Sequence, residues 1–185
     1  MSESYLVGTG RYLPGRIVGN DFFEGKILKK FDAQGNVQKE VLCTTAWIQE
    51  NMGIETRRYA DENETVHSMG SVAVAMALDQ GHIPASDLDG ILASTVTSER
   101  RFPSTACEIQ RLLGIVPERE FFSCDLGAAC AGYVAGLNVA HHLLQGNYHA
   151  LAVVGVEKLS GITDFSDANA PLFGDGAGAS ILVSP

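Results

Sequence analysis

The sequence predicts an α/β fold in which strands and helices follow one another in the order βαβαβαββ. Short apolar segments bounded by glycine or proline alternate with longer segments that carry helix start and stop signals. The last two apolar segments follow each other with no helical segment between them. Alternating strands and helices predict a mixed, mostly parallel sheet covered by helices on both faces, and the final two strands predict one antiparallel pair at its edge.

Length and composition favour one globular domain that spans residues 1–185. The chain is 45% apolar and 19% charged, and a chain of this size buries roughly 70% of its unfolded surface. The formal net charge of −9 disfavours nucleic acid or an acidic membrane as a partner. No apolar run reaches about 18 residues and the first residues lack a signal-peptide pattern, so we expect no membrane association and a cytoplasmic location.

The cysteine pattern indicates neither a zinc site nor a disulfide framework. The chain has four cysteines, and no pair of them has the spacing of a CxxC motif. Reduced thiols agree with a cytoplasmic protein. The sequence therefore predicts no metal and no cofactor.

The first third of the chain combines a regular start with an irregular segment. Residues 5–10 are predicted to form a short buried strand. Residues 21–43 are the least regular part, and we interpret them as an inserted excursion that contains a small helix and a hairpin. Two basic pairs, Arg57–Arg58 and Arg100–Arg101, are expected on the solvated surface.

Three further helices and four further strands are expected along the chain. Helices are expected from Thr44 to Gly53, from Thr65 to Gln80 and from Ser104 to Leu113. Gly81 is expected to cap the second of these at its carboxyl end. Further strands are expected at residues 91–96, 121–126, 150–156 and 180–184.

The segment from Phe121 to Gly132 contains the candidate reactive residue, a cysteine. An apolar strand runs into Gly127 and two alanines, and Cys130 then begins an apolar helix that extends to Leu144. At a helix amino terminus, the dipole and the unpaired N–H groups favour a thiolate and can hold the oxyanion of an attacked thioester. A free cysteine is also a common core residue, so the local pattern alone leaves both interpretations open. Cys124, in mid-strand, is expected in the core.

A second glycine-rich motif covers residues 173–179. Phosphate-binding loops stand between a strand and a helix, whereas a strand follows here and no lysine is near. The motif therefore predicts a tight turn that packs against the helix after Cys130.

Several short motifs, taken in order, resemble a known family over nearly the whole chain. They are residues 8–14, 47–48, 52–58, 63–65, 68–70, 102–104, 125–132 and 173–179. The family is β-ketoacyl-acyl carrier protein synthase III, in the thiolase superfamily. The resemblance implies a thiolase-like fold of which this chain is the amino-terminal half. It also implies a second half, absent from this chain, that carries a histidine and an asparagine needed for condensation, so the chain alone is expected to be inactive.

The resemblance implies a role for three residues. Cys130 matches the nucleophile that takes a starter acyl group from acyl-coenzyme A or acyl-acyl carrier protein, and its own N–H matches an oxyanion donor. Condensation with malonyl-acyl carrier protein then starts a fatty-acid or polyketide chain. Trp47 matches an aromatic residue at the coenzyme A entrance. Phe102 matches a residue that reaches toward the partner's acyl pocket in the family's homodimer.

The sequence departs from the family at three places. Asn51 and Ala168 stand where the family has arginines that contact coenzyme A, and residues 21–43 are longer than in typical bacterial members. The starter group and its donor are therefore left open, as are acyl transfer without condensation (ester or amide formation) and an inactive partner subunit. A cysteine hydrolase is disfavoured because Ala128 occupies the first glycine position of that enzyme class's nucleophile motif.

Overall fold

The computed structural model describes residues 3–117 and 120–185. The strands in these ranges are β1 (Tyr5–Tyr12), β2 (Arg16–Gly19), β3 (Ile27–Phe31), β4 (Val37–Leu42), β5 (Thr56–Tyr59), β6 (Gly90–Ser94), β7 (Phe122–Leu126), β8 (Ala150–Lys158) and β9 (Asp175–Val183). The α-helices are α1 (Thr45–Met52), α2 (Val66–Gly81), α3 (Thr105–Leu112) and α4 (Gly132–Leu143). None of these helices combines the length and the apolar character that crossing a membrane requires.

The described residues form two compact units. The first contains residues 3–13, 62–117, 120–157 and 176–185, and the second contains residues 14–61 and 158–175. The first unit holds a five-stranded sheet in the order β1-β9-β8-β6-β7, in which β6 pairs in parallel with β7 and β8 while β1 and β9 are antiparallel. The predicted α/β class and mixed sheet are confirmed. The last two strands, β8 and β9, are neighbours in the sheet as expected, but they do not form its edge, since β9 lies between β1 and β8.

Helices cover both faces of this sheet. Side chains alternate between the two faces of a strand, so Val153 and Val156 of β8 point in opposite directions. Val153 lies against Gly136 of α4, and Val156 lies against Gly70 of α2. Gly70 also contacts Ile109 of α3, so α2 and α3 share the face opposite α4.

Strand β1 packs on α2 through its glycines. A Cβ atom at Gly8 would overlap the Ala77 carbonyl oxygen, and one at Gly10 would overlap the Ala73 carbonyl oxygen. Backbone can approach backbone this closely only without side chains. The expectation of a buried β1 is nevertheless wrong, because β1 is an edge strand and Leu6 remains 55% exposed.

Three helices begin where the sequence predicted, each after a capping hydroxyl. The hydroxyl oxygens of Thr44, Thr65 and Ser104 accept hydrogen bonds from backbone N–H groups three residues later, at 3.0, 3.1 and 3.2 Å. The predicted cap at Gly81 is wrong by one residue. His82 adopts the left-handed conformation with φ of 53°, while Gly81 is needed where α2 passes the backbone of Gly8.

The second unit is built around a small apolar core. Two two-stranded sheets, β2–β5 and β3–β4, accompany α1. The core side chains are Phe23, Leu28, Cys43, Ile48, Ala168 and Ala170. The small helix and hairpin predicted for residues 21–43 are confirmed as a 3-10 turn at Asn20–Phe23 followed by β3 and β4. That this segment is an insertion stays a prediction.

Arg57 corrects the expectation that the first basic pair is solvated. Its guanidinium is buried and donates to the carbonyl oxygens of Pro171 and Val18 and to Asn20 Oδ1. Burial lowers the pKa of this guanidinium. Arg57 therefore cross-links three segments of the second unit instead of facing solvent.

The glycine-rich motif also differs from the prediction. Most of residues 173–179 lie in β9 rather than in a turn, with Ala177 paired to Tyr12 and Gly178 to Arg11. A Cβ atom at Gly176 would lie 3.2 Å from the Tyr12 carbonyl oxygen. Glycine at position 176 thus serves close strand packing, which the sequence pattern does not distinguish from a turn.

Candidate active site

Cys130 lies in a short 3-10 turn, Ala129–Ala131, between β7 and α4. The expectation that Cys130 begins the helix is wrong by two residues, since α4 begins at Gly132. Cys130 is exposed, whereas Cys43 is buried and Cys107 and Cys124 are partly buried. The expectation of core packing for Cys124 is thus met only in part, and among the described cysteines Cys130 is the most open to a reagent.

The turn that holds Cys130 contains a strained backbone. Ala129 has φ of 45°, a region in which residues other than glycine are uncommon. The Ala131 N–H donates to the Ala128 carbonyl oxygen at 3.1 Å and closes the turn. Strained residues of this kind concentrate at functional sites, and here the strain lies directly before the exposed thiol.

The start of α4 lies directly against the end of β6. Gly132 is buried, and a Cβ atom there would overlap the Ser94 hydroxyl. Ser94 is the last residue of β6 and pairs with Leu126, the last residue of β7. The Cys130 turn therefore stands at the carboxyl edge of the parallel strands, where ligands bind in open α/β sheets.

Asp125 connects the strand before Cys130 to helix α3. Its two carboxylate oxygens accept hydrogen bonds from the N–H groups of Thr105, at 2.7 Å, and Ala106, at 2.8 Å. A carboxylate at a helix amino terminus satisfies unpaired donors and opposes the helix dipole. This role is not visible in the local sequence, because the donors lie 20 and 19 residues earlier. An acidic residue at the end of an apolar strand was the available signal.

The loop that carries Phe102 is held by Glu157. One Glu157 carboxylate oxygen accepts from the Val96 N–H at 2.9 Å, and the other accepts from the hydroxyls of Thr95 and Thr97. The Phe102 side chain at the far end of this loop is 83% exposed. Cys130 and Phe102 belong to the first unit, and Asp125 connects the strand before Cys130 to the helix that follows the Phe102 loop.

Trp47 lines a cavity of about 550 Å³ in the second unit. Asn51 and Ala168, two of the places at which the sequence departs from the family that it resembles, line the same cavity. The other lining residues are Lys30, Phe31, Gln38, Met52, Asn169 and Leu172. The Asn51 amide donates to the Trp47 carbonyl oxygen at 2.8 Å. Lys30, beside Phe31 in the sequence, was not among the predicted site residues but lines the cavity.

Comparison with known proteins supports the family suggested by the motifs. The family model of 3-oxoacyl-[acyl-carrier-protein] synthase III matches residues 124–184, a range that includes Cys130. β-Ketoacyl-[acyl-carrier-protein] synthase III of Geobacillus kaustophilus is 40% identical over 97% of this chain and 54% of its own length. The chain spans about half the length of the curated relatives it matches.

Solved structures agree with this similarity. The 3-oxoacyl-[acyl-carrier-protein] synthase III of Aquifex aeolicus superposes with a TM-score of 0.82 at 31% identity, over 98% of this chain and 54% of that one. The priming β-ketosynthase of the R1128 polyketide pathway superposes with a TM-score of 0.84 at 28% identity, over the whole of this chain and 51% of that one.

The fold therefore places the chain in the thiolase-like class of α/β proteins. Within that class, the predicted resemblance to β-ketoacyl-acyl carrier protein synthase III is confirmed, for a chain that matches about half of such an enzyme.

Proposed function

We propose that the protein containing this chain is an acyltransferase that loads a starter acyl group onto Cys130 and condenses it with malonyl-acyl carrier protein. The observation that carries this proposal is the exposed Cys130 in a strained turn at the carboxyl edge of the sheet. It lies within the segment that matches the family model. The family's decarboxylative chemistry would start a fatty-acid or polyketide chain.

The first step is acyl transfer to sulfur. The Cys130 thiolate attacks the thioester carbonyl carbon, and the carbonyl electrons move to oxygen to form a tetrahedral oxyanion. We assign the Cys130 N–H as a donor to that oxygen. Collapse of the intermediate expels the carrier thiolate and leaves an acyl group on Cys130.

The second step is condensation. Malonyl-acyl carrier protein loses CO₂, and the carbanion so formed attacks the carbonyl carbon of the acyl-cysteine. The carbon–sulfur bond then breaks and returns the Cys130 thiolate. We assign the histidine and asparagine that assist this step in the family to a second half of the protein, so these 185 residues alone would load an acyl group without condensing it.

We further propose that Phe102 contributes to a homodimer. Its ring is 83% exposed, and a large apolar side chain in this state is better accommodated against a second protein surface than in water. Phe102→Ala should weaken the dimer in analytical ultracentrifugation and change the preferred length of the acyl donor. A monomer–dimer equilibrium identical to that of the wild type would contradict this assignment.

Acylation of the full-length protein tests the proposed function. The protein is incubated with a panel of acyl-coenzyme A and acyl-carrier thioesters, and the modified peptide is located by mass spectrometry. We expect an adduct on Cys130 that is absent in Cys130→Ala and retained in the matched control Cys107→Ala. Subsequent loss of CO₂ from malonyl-acyl carrier protein supports condensation. Transfer of the acyl group to an alcohol or amine instead supports ester or amide formation, and no adduct with any donor contradicts the proposal.

A further inference from the structure

The outer side of the β3–β4 hairpin exposes large apolar side chains. Side chains alternate between the two sides of a strand, so Ile27, Lys29 and Phe31 share one side of β3. Leu28, on the other side, is fully buried in the core of the second unit. Ile27 therefore points away from that core and is 51% exposed, and its cross-strand neighbour Leu42 is 58% exposed. A hairpin side that faces only water is expected to be polar instead.

The register of the two strands defines this surface. Residues directly opposite each other point to the same side of a strand pair. The outer side therefore carries three cross-strand pairs, which we call the hairpin face: Ile27–Leu42, Lys29–Glu40 and Phe31–Val37. One charged pair thus stands between two apolar pairs. All four apolar side chains are exposed, although Phe31 also borders the Trp47 cavity.

The hairpin is held in one conformation at both ends. At its tip, one Asp32 carboxylate oxygen accepts hydrogen bonds from the N–H groups of Gln34, at 2.9 Å, and Asn36, at 2.8 Å. At its base, the Gly25 N–H donates to the Cys43 carbonyl oxygen at 2.9 Å. The hairpin face is therefore preformed, which lowers the entropy that association would cost.

The charges of the hairpin face make it complementary to itself. Neither Lys29 nor Glu40 forms an ion pair with another described residue. A two-fold axis between two such faces, parallel to the strands, would place Lys29 of each copy on Glu40 of the other. It would also place Ile27 on Leu42. An axis across the strands would instead oppose Lys29 to Lys29, so the charges select the first orientation.

The same charges favour a second copy over a different partner. A partner whose surface is uniformly acidic would face Glu40 with a like charge, and a uniformly basic partner would face Lys29 with one. Like charges held together at an interface are unfavourable. A second copy offers both charges in the required places.

We propose that the hairpin face is a contact between two copies of this protein, related by a two-fold axis parallel to β3 and β4. The proposal goes beyond the acyl chemistry and does not depend on it. Strand β3 has five residues, so the face is about 17 Å long and two strands wide. It is smaller than the roughly 800 Å² per partner of a standard interface, and the association is therefore weak and reversible.

Sedimentation of the full-length protein over a range of concentrations tests the proposal. The average mass of the wild type should double as the concentration rises. Phe102→Ala, which alters a different surface, should show the same doubling from its own starting mass. A wild-type mass that stays constant up to about 1 mM would overturn the proposal, since a contact weaker than this contributes little.

Exchange of the two charges makes the test specific. Lys29→Glu and Glu40→Lys each create two like-charge contacts per interface, and each should weaken association about tenfold. Both changes in one chain should restore it. An equal mixture of the two single variants should also restore it, because every facing pair then has opposite charges. Failure of both restorations would overturn the proposal.

Lys39→Glu is the matched control for Lys29→Glu. It changes the net charge by the same amount at an exposed position on the other side of the same hairpin. This variant should associate as the wild type does. A loss equal to that of Lys29→Glu would show that net charge, and not the hairpin face, governs association.

Leu42→Ser tests the apolar part of the face. It should weaken association and leave the thermal midpoint unchanged, because the side chain is exposed. A lower midpoint with unchanged association would show that another part of the full-length protein covers the face, which would overturn the proposal. Acylation of Cys130 in dilute solution should be the same in all hairpin variants. A wild type that self-associates but is never acylated would contradict the proposed function and leave the hairpin contact standing.

Discussion

Gly132, the first residue of α4, lies so close to Ser94 that a Cβ atom there would overlap the Ser94 hydroxyl oxygen and lie 3.0 Å from the Ser94 Cβ. Ser94 is buried at the end of β6 and has little room to move. The missing side chain lets α4 begin directly on the sheet. This contact fixes the position of Cys130, which precedes Gly132 by two residues.

Gly132→Ala should destabilise the protein because the added methyl group forces α4 away from β6. We expect a loss of about 2 kcal/mol in the free energy of unfolding, typical of overpacking a buried site, measured by urea unfolding. Alkylation of Cys130 by iodoacetamide should change in rate as the turn shifts. Gly178→Ala is the matched control, since a Cβ atom there meets open space. Equal stability of the two variants would contradict the proposed contact.

Ala129→Gly should stabilise the folded chain. Ala129 has φ of 45°, which an L-residue adopts at a cost of about 1 kcal/mol, whereas glycine adopts it freely. Ala131, two residues later, has φ of −89°, so Ala131→Gly should instead destabilise by about 0.5–1 kcal/mol through unfolded-state entropy. Chemical denaturation of both variants tests this difference in sign, and destabilisation by both substitutions would refute the strain at Ala129.

Asp125→Asn should destabilise helix α3. An amide offers one oxygen in place of the two that accept from Thr105 and Ala106, and it lacks the charge that opposes the helix dipole. The expected loss is about 1–2 kcal/mol, read as a lower thermal midpoint by circular dichroism. The same change at exposed Asp79 is the control and should shift the midpoint little. A midpoint for Asp125→Asn within the error of this control would show that the cap contributes nothing.

Stability should fall in alkali because of Cys43. Burial raises the pKa of its thiol above the ordinary value of 9.0, and the nearby Glu24 carboxylate raises it further. The folded chain therefore holds the proton more tightly than the unfolded chain. The resulting stability is complete below pH 9 and is lost as the pH rises through the raised value.

The urea midpoint at pH 10 should accordingly be lower than at pH 8. Cys43→Ala removes the titrating group and should show a smaller decrease between the two pH values, although its stability is lower at both. Burial also raises the pKa of Tyr59 from 10.0, which adds to the decrease at the upper end of this range. A decrease of the same size in Cys43→Ala and wild type would exclude Cys43 as the cause.

Much of the helical structure could be predicted because its signals are local. Thr44, Thr65 and Ser104 cap helices through hydrogen bonds to residues three positions later, and such pairs are visible in a short stretch of sequence. Strand order has no such signal. The placement of β9 between β1 and β8 and the burial of Arg57 depend on segments more than 100 residues apart.

The candidate site likewise combines features that the sequence predicts with features that only the tertiary structure determines. The sequence by itself determined that Cys130 follows a strand and small residues, and its motifs indicated the family. The tertiary structure alone decided that the thiol is exposed, that Ala129 is strained, that Gly132 rests on Ser94 and that Lys30 shares a cavity with Trp47. The physical reason is that capping and turns act within a few residues, whereas burial, close approach and cavity lining arise only when distant segments pack together.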